Sequence, residues 1–249
     1  MKKNFIYKDE KSDKFWTIHV EGKTLTVIFG KTNTAGRTNV KEFVNDEDAR
    51  SEAERLINEK THKGYMETFD FESNLSSLGI TEFWNLIERA KRKASSDVDE
   101  QIEILTEILA ERPVEDIIEF GRILEYYHAL SYTSDLWAAA YIIQGGCSDD
   151  GFDYFRAWLI TRGKEIFDNA IANPESLTKI ISVENVEEAN AESFLYVAQD
   201  AYERKTGGNM DEFLDRQGSV NFPKMDFDWE EEEDSLKQKF PKLYKKFFS

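Results

Sequence analysis

Residues 15–29 read Phe15-Trp16-Thr17-Ile18-His19-Val20-Glu21-Gly22-Lys23-Thr24-Leu25-Thr26-Val27-Ile28-Phe29. The strict alternation puts Trp16, Ile18 and Val20 on one face of a first strand. It does the same for Leu25, Val27 and Phe29 in a second, and Glu21-Gly22 supplies a two-residue turn. Both runs thus present an apolar face and a polar one, as a half-buried hairpin does. Downstream, a third strand is expected over Arg37 to Val44, after the loop from Lys31 to Gly36. Asn45 or Asp46 can then cap a helix whose Ala49, Ala53, Leu56 and Ile57 recur at helical spacing. Strands followed by one covering helix predict a small α+β domain.

Charge divides the chain at the end of this pattern. The 249 residues hold 32 Lys+Arg against 49 Asp+Glu, net −17. Residues 1–68 carry 13 against 12, net +1, leaving 19 against 37, net −18, for the remainder. Two modules with different partners are expected. The stretch Asp70-Phe-Glu-Ser-Asn-Leu-Ser-Ser-Leu-Gly79 has the short polar residues of a connection. The organisation read from the sequence is therefore a module over 1–68, a linker over 69–79 and a domain over 80–249.

The third part reads as helical. Thr81 can cap a helix carrying Phe83, Trp84, Ile87 and Ala90. A second stripe over 98–111 uses Ile102, Leu105, Ile108 and Leu109 and ends at Arg112-Pro113. A third runs from Ile117 to Tyr127. Leu136-Trp-Ala-Ala-Ala-Tyr-Ile-Ile143 is apolar nearly all round, so a central buried helix is expected, stopped by Gly145-Gly146. Beyond Gly208 the periodicity loosens into an aromatic and acidic segment. Pro241 splits the terminal pattern of Leu236, Phe240, Leu243 and Phe247 into two short pieces. The fold class is α+β: an N-terminal antiparallel sheet with one covering helix, then a mainly α-helical domain.

Several motifs make the first module familiar: Phe29-Gly30-Lys31, the Thr32-Asn-Thr-Ala-Gly-Arg37 loop, Val40-Lys41-Glu-Phe43, the Ala49–Ile57 helix and Lys60-Thr-His-Lys-Gly-Tyr65. In that order they resemble the WGR domain of poly(ADP-ribose) polymerases and of bacterial regulators. Phe29 stands at the motif's Trp and Lys31 at its Arg, with Gly30 kept. The resemblance implies contact with nucleic acid. An aromatic face stacks on a base while a cation neutralises phosphate, so Phe29, Lys31, Arg37 and Lys41 are the candidate residues for nucleic acid or a partner, and Lys60 and Lys63 could extend the basic surface. Lys31 acts there as a point charge without the bidentate fork of Arg. The plainer reading makes Phe29 a core strand residue and Lys31 a solvated loop charge.

The string Gly145-Gly-Cys-Ser-Asp-Asp-Gly-Phe-Asp-Tyr-Phe-Arg-Ala-Trp-Leu-Ile160, with Thr81–Arg89, Asn173–Leu177 and Ala201–Gly207, is similar to a bacterial family of unknown function. It carries no transferable activity but implies fusion to WGR-like modules. Within the string, Asp149, Asp150, Asp153 and Arg156 allow two readings. One is a cleft with paired carboxylates and an anion clamp, making them candidate catalytic residues. The other is helix capping, with Asp150 and Asp153 at N-cap and N3 spacing, plus one internal ion pair from Arg156 to Asp135 or Asp150.

Three histidines and the single Cys147 leave no metal-site spacing, and no phosphate-cradling glycine loop or nucleophile triad accompanies them. No cofactor and no metal are therefore expected. His128 and Cys147 read as packed residues. Met1 to Glu10 has no apolar h-region and no run reaches membrane length, so a cytoplasmic protein without membrane contact is expected. The leading expectation is a non-enzymatic bacterial adaptor or regulator with a protein partner. The alternatives are nucleic-acid binding through residues 1–68, and an enzyme or small-ligand binder using the Asp/Arg cluster.

Overall fold

In the computed structural model, which describes residues 2–8, 12–31, 34, 36–68, 78–95, 97–218 and 225–248, the quoted stretch is a hairpin. Strand β2 (Asp13–Glu21) pairs antiparallel with β3 (Thr24–Lys31), with Val20 opposite Leu25 and Glu21 opposite Thr24. The turn is therefore Gly22-Lys23, one residue later than expected. Gly22 sits at φ +55°, the conformation a tight hairpin turn asks of its first residue. Strand β1 (Lys2–Lys8) precedes the hairpin, β4 (Arg37–Glu42) follows it, and β5 (Met66–Thr68) closes the module. The sheet order is β4-β3-β2-β1-β5, antiparallel at every pairing.

Helix α1 (Asp46–Thr61) covers one face. Asn45 caps it, its side chain accepting from the Asp48 amide at 2.7 Å, and Asp46, Glu47 and Asp48 complement the dipole of its first turn. Ala49 and Ala53 bury against Phe5, Trp16, Ile18, Val20 and Leu25, with Leu56 and Ile57 at the margin. The third strand stops at Glu42, short of the expected Val44, which is 90% exposed.

The chain falls into two compact units divided in sequence at residues 70 and 71. The expected linker lies outside the described residues over 69–77. The second unit is helical: α2 (Ile80–Lys93), α3 (Val98–Ala110), α4 (Val114–Leu130), α5 (Ser134–Gln144), α6 (Asp149–Thr161) and α7 (Lys164–Ala172). Three 3-10 turns, Pro174–Lys179, Val183–Glu188 and Glu192–Tyr196, lead to α8 (Val197–Thr206), α9 (Met210–Gln217), α10 (Glu233–Lys239) and α11 (Pro241–Phe247). Helix α2 begins after Gly79 with no side-chain cap, so Thr81 lies one residue inside it. Gly145, left-handed at φ +69°, ends the buried α5.

The core of this unit is aromatic. Phe83 and Trp84 pack with Phe120, Tyr127 and Phe167, ring centroids 4.6–5.7 Å apart. The C-terminal segment, read from the sequence as loose, is docked over its described part. Trp229 donates to the Ser134 carbonyl at 3.0 Å, and Phe227 packs on Trp137 at 5.2 Å. Lys239 bridges Asp135 and Asp228 at 2.7 and 2.6 Å, while Leu236, Phe240 and Leu243 are buried. The expected apolar pattern falls on two short helices divided at Pro241, and α11 packs against α5 and the first 3-10 turn.

Candidate nucleic-acid interface

Directly opposed residues of an antiparallel ladder share a face, which fixes what surrounds Phe29. One row across the sheet reads Phe5, Trp16, Phe29, Arg37, and the next reads Tyr7, Lys14, Lys31. Both rows lie on the face that α1 covers. The helix shields Ile18, Val20 and Leu25, however, and leaves the far end of β3 open. Phe29 is 41% exposed, and Lys31 and Arg37 are exposed beside it. The period-two pattern assigns the face correctly; the length of the cover decides which of its residues are buried.

Phe29, Gly30, Lys31, Thr34, Gly36 and Arg37 line one recess of about 490 Å³. Its glycines are there for backbone reasons. Gly36 lies at φ +70°, and a Cβ on it would sit 2.8 Å from the Phe29 carbonyl oxygen. A Cβ on Gly30 would sit 2.8 Å from the Gly36 Cα. The two glycines thus let β4 return against β3 and set Arg37 across from Phe29. Thr34 donates through its amide and its hydroxyl to the Lys31 carbonyl, at 3.2 and 2.7 Å, and so holds the turn. None of the lining residues carries a carboxylate, so the recess combines one exposed ring with two cations.

Lys41 is not part of this group. It sits opposite Leu25 on the same face, with its ammonium 4.6 Å from the Phe43 ring and 3.6 Å from Glu52 of α1. Lys14, opposite Lys31 and not singled out by periodicity, reaches over the Tyr7 ring at 5.7 Å; Tyr7 packs on Tyr65 at 5.3 Å, and Lys60, of the quoted Lys60–Tyr65 motif, lies 4.7 Å from the Tyr65 ring. Burial lowers the Lys60 pKa, and the neighbouring charges of Lys63 and Lys14 add to that, against the opposing pull of Glu59. Lys14 and Lys31 are like charges directly opposed, an arrangement that costs stability in a sheet. The signal for Lys14 and Tyr7 lies in the register, which a linear reading of β1 did not supply.

In the helical unit, Asp153 and Arg156 come together while Asp149 and Asp150 stay exposed on the first turn of α6. Ser148, not Asp150, is the N-cap, accepting from the Gly151 amide at 3.2 Å. Arg156 is 1% exposed. It pairs with Asp153, donates to the His128 carbonyl, and packs over Tyr132 and Phe152 at 5.0 and 4.9 Å. The expected partners are otherwise arranged, since Asp135 binds Lys239.

His128 bonds the Asp153 carbonyl at 3.1 Å, and burial together with the Arg156 charge lowers its pKa to about 3. Burial likewise raises the Cys147 thiol to about 12, despite Arg156, so it remains protonated at neutral pH. This geometry ties α6 to α4. Among the described residues, no group of three or more His, Cys, Asp or Glu is placed to hold a metal ion, and no helix is long and apolar enough to cross a membrane.

Residues 2–72, which hold the sheet, its covering helix and the glycine-bounded recess, match the family model of the WGR domain, a nucleic-acid-binding type of domain. Residues 79–204 match the family described as protein of unknown function, DUF4240, and the chain belongs to that family. Among curated proteins it is similar to the uncharacterized Escherichia coli K12 protein YfeS, 52% identical over 67 residues, which are 27% of this chain and 28% of that one. It is also similar to the E. coli K12 protein YehF, 44% identical over 66 residues, 26% of this chain and 24% of that one. The chain thus spans about a quarter of the length of the curated relatives it matches. A crystal structure of a Bacteroides fragilis protein is similar at 47% identity and a TM-score of 0.28, covering 28% of this chain and 20% of that one.

Proposed function

We propose that this is a non-enzymatic bacterial adaptor whose WGR domain engages nucleic acid through Phe29, Lys31 and Arg37, while its acidic helical unit contacts a protein partner. The observation that carries the reading is the exposed Phe29 ring set between Lys31 and Arg37 in a recess free of carboxylates. A ring in that position stacks on a base of any identity, and the two cations bind flanking phosphates, which supports binding without sequence readout. The helical unit repels a phosphate backbone through its net −18 and suits a partner of opposite charge.

The test is oligonucleotide binding by the full chain across a salt series. Lys31→Ala or Arg37→Ala should each flatten the slope of log affinity against log salt by about 0.7–0.9. Phe29→Ala should weaken affinity by about 1–3 kcal/mol at unchanged slope. Lys41→Ala, whose ammonium faces Glu52, should change neither. Binding that is absent at low salt, or indifferent to salt and to all four substitutions, would overturn the reading.

A further inference from the structure

The helical unit holds a second recess, of about 370 Å³, bordered by Lys91 of α2, Trp158 and Arg162 around the end of α6, Ile166 of α7, and the turn residues Ile180 and Ile181. Its volume is that of a small-molecule pocket, and its walls are chiefly apolar. Arg162 supplies the polar centre. Its guanidinium is fixed by uncharged partners: Nε donates to the Thr161 hydroxyl at 3.0 Å, and Nη2 to Gln101 Oε1 at 3.0 Å and the same hydroxyl at 2.9 Å. It lies 5.6 Å from the Trp158 ring. Gln101 and Thr161 are themselves buried, so the fork is held in place from behind. Among the described residues, Nη1 makes no hydrogen bond.

A comparison within the unit shows what is unusual. Four of its arginines are buried or half-buried. Arg112 pairs with Glu82 and Asp116, Arg122 with Glu119, and Arg156 with Asp153. Arg162 has no carboxylate partner among the described residues, in a unit where acids outnumber bases nearly two to one. Two acids act on it from a distance: Glu88, paired with Lys91 at 2.6 Å, and Glu188 at the rim, which accepts from the neutral Asn185 amide at 3.1 Å and keeps its charge. Lys91 also donates to the Arg162 carbonyl at 2.7 Å, which brings a second cation to the same wall. A guanidinium that is half-buried, rigidly held and, among the described residues, without a carboxylate within ion-pair distance is suited to receive a planar anion from outside.

We propose that this recess binds a small organic carboxylate bearing an apolar group. The carboxylate meets the Arg162 guanidinium, and the apolar body lies against Trp158, Ile180 and Ile181. Glu188 at the rim opposes the incoming charge and sets the affinity.

The probe is 4-phenylbutyrate, titrated calorimetrically into the full chain, with 4-phenylbutylamine and acetate as controls. The carboxylate should bind saturably at one site, acetate more weakly for want of the apolar body, and the amine not at all. Arg162→Gln should weaken binding at least tenfold, about 1.4 kcal/mol. Because that variant also removes bonds to Gln101 and Thr161, a second one is needed. Ile180→Asp, at a rim position, should weaken binding as much at an unchanged melting temperature. Glu188→Gln should tighten it. Failure of 4-phenylbutyrate to bind at millimolar concentration, equal binding of the amine, or indifference to Ile180→Asp and Glu188→Gln would overturn the proposal.

Discussion

Arg156 and Asp150 sit six positions apart on one helix, and their environments separate their roles. Arg156 is enclosed by Tyr132 and Phe152, paired to Asp153 and bonded to the carbonyl of His128, so its removal leaves a void and breaks the tie between α6 and α4. Arg156→Ala should destabilise the protein by about 2–3 kcal/mol in urea unfolding. That is the range for emptying a large buried site, reduced because Asp153 stays half-exposed and can resolvate. Asp150→Asn, at an exposed first-turn position, should cost no more than about 0.5 kcal/mol.

His128 gives the same site a pH signature. Its pKa is about 3 when folded, against about 6.5 for the free imidazole, so between those values the unfolded chain binds a proton that the native protein excludes. Stability from this group is therefore complete above pH 6.5 and declines as pH falls towards 3, with a slope approaching about 1.4 kcal/mol per pH unit. His128→Gln should remove that component of the slope in urea melts between pH 4 and 6. A variant whose slope matched the parent protein's would show that His128 is not held neutral.

At the scale of elements, the hairpin turns an alternating sequence into a surface whose two ends have different fates. The end beneath Ala49 and Ala53 becomes core, and the end beyond α1 becomes the recess. Gly36→Ala tests how the second end is built. Its φ of +70° and the closeness of the Phe29 carbonyl predict a loss of about 1 kcal/mol or more in stability. Oligonucleotide affinity should fall with it, since Arg37 is displaced from Phe29.

Much of this was legible in the chain. The hairpin, the Asn45 cap, the buried α5 and its glycine stop follow from patterns confined to a few neighbouring residues. What was not legible depends on distant ones. Strand β1 offers only Phe5 to the core between lysines, and it declares itself only by pairing with β2. The exposure of Phe29 depends on where α1 ends, and the nearness of Lys14 to Lys31 on register. Arg156 was foreseen as an internal ion pair, but its partner lies one turn back on its own helix rather than at Asp135 or Asp150. Capping by Ser148 leaves those aspartates in water or, for Asp135, with Lys239.

At the scale of the whole molecule, a formal charge of −17 argues against nucleic-acid binding only if it is spread evenly. It is not: a near-neutral WGR domain precedes a helical unit that carries the acidic excess. The first gathers cations and rings at one end of a sheet, and the second commits most of its half-buried arginines to internal carboxylates. Each unit therefore offers a cation-centred recess, at Lys31 and Arg37 in the first and at Arg162 in the second. The central claim is that nucleic acid occupies the first of these. Amide chemical shifts of the full chain during titration with a short single-stranded oligonucleotide test it most directly. The account predicts that the largest perturbations fall on Phe29, Gly30, Lys31, Thr34, Gly36 and Arg37, and that Lys41 and Asp149 to Arg156 stay unmoved. Perturbations centred on the helical unit, or none at low salt, would contradict it.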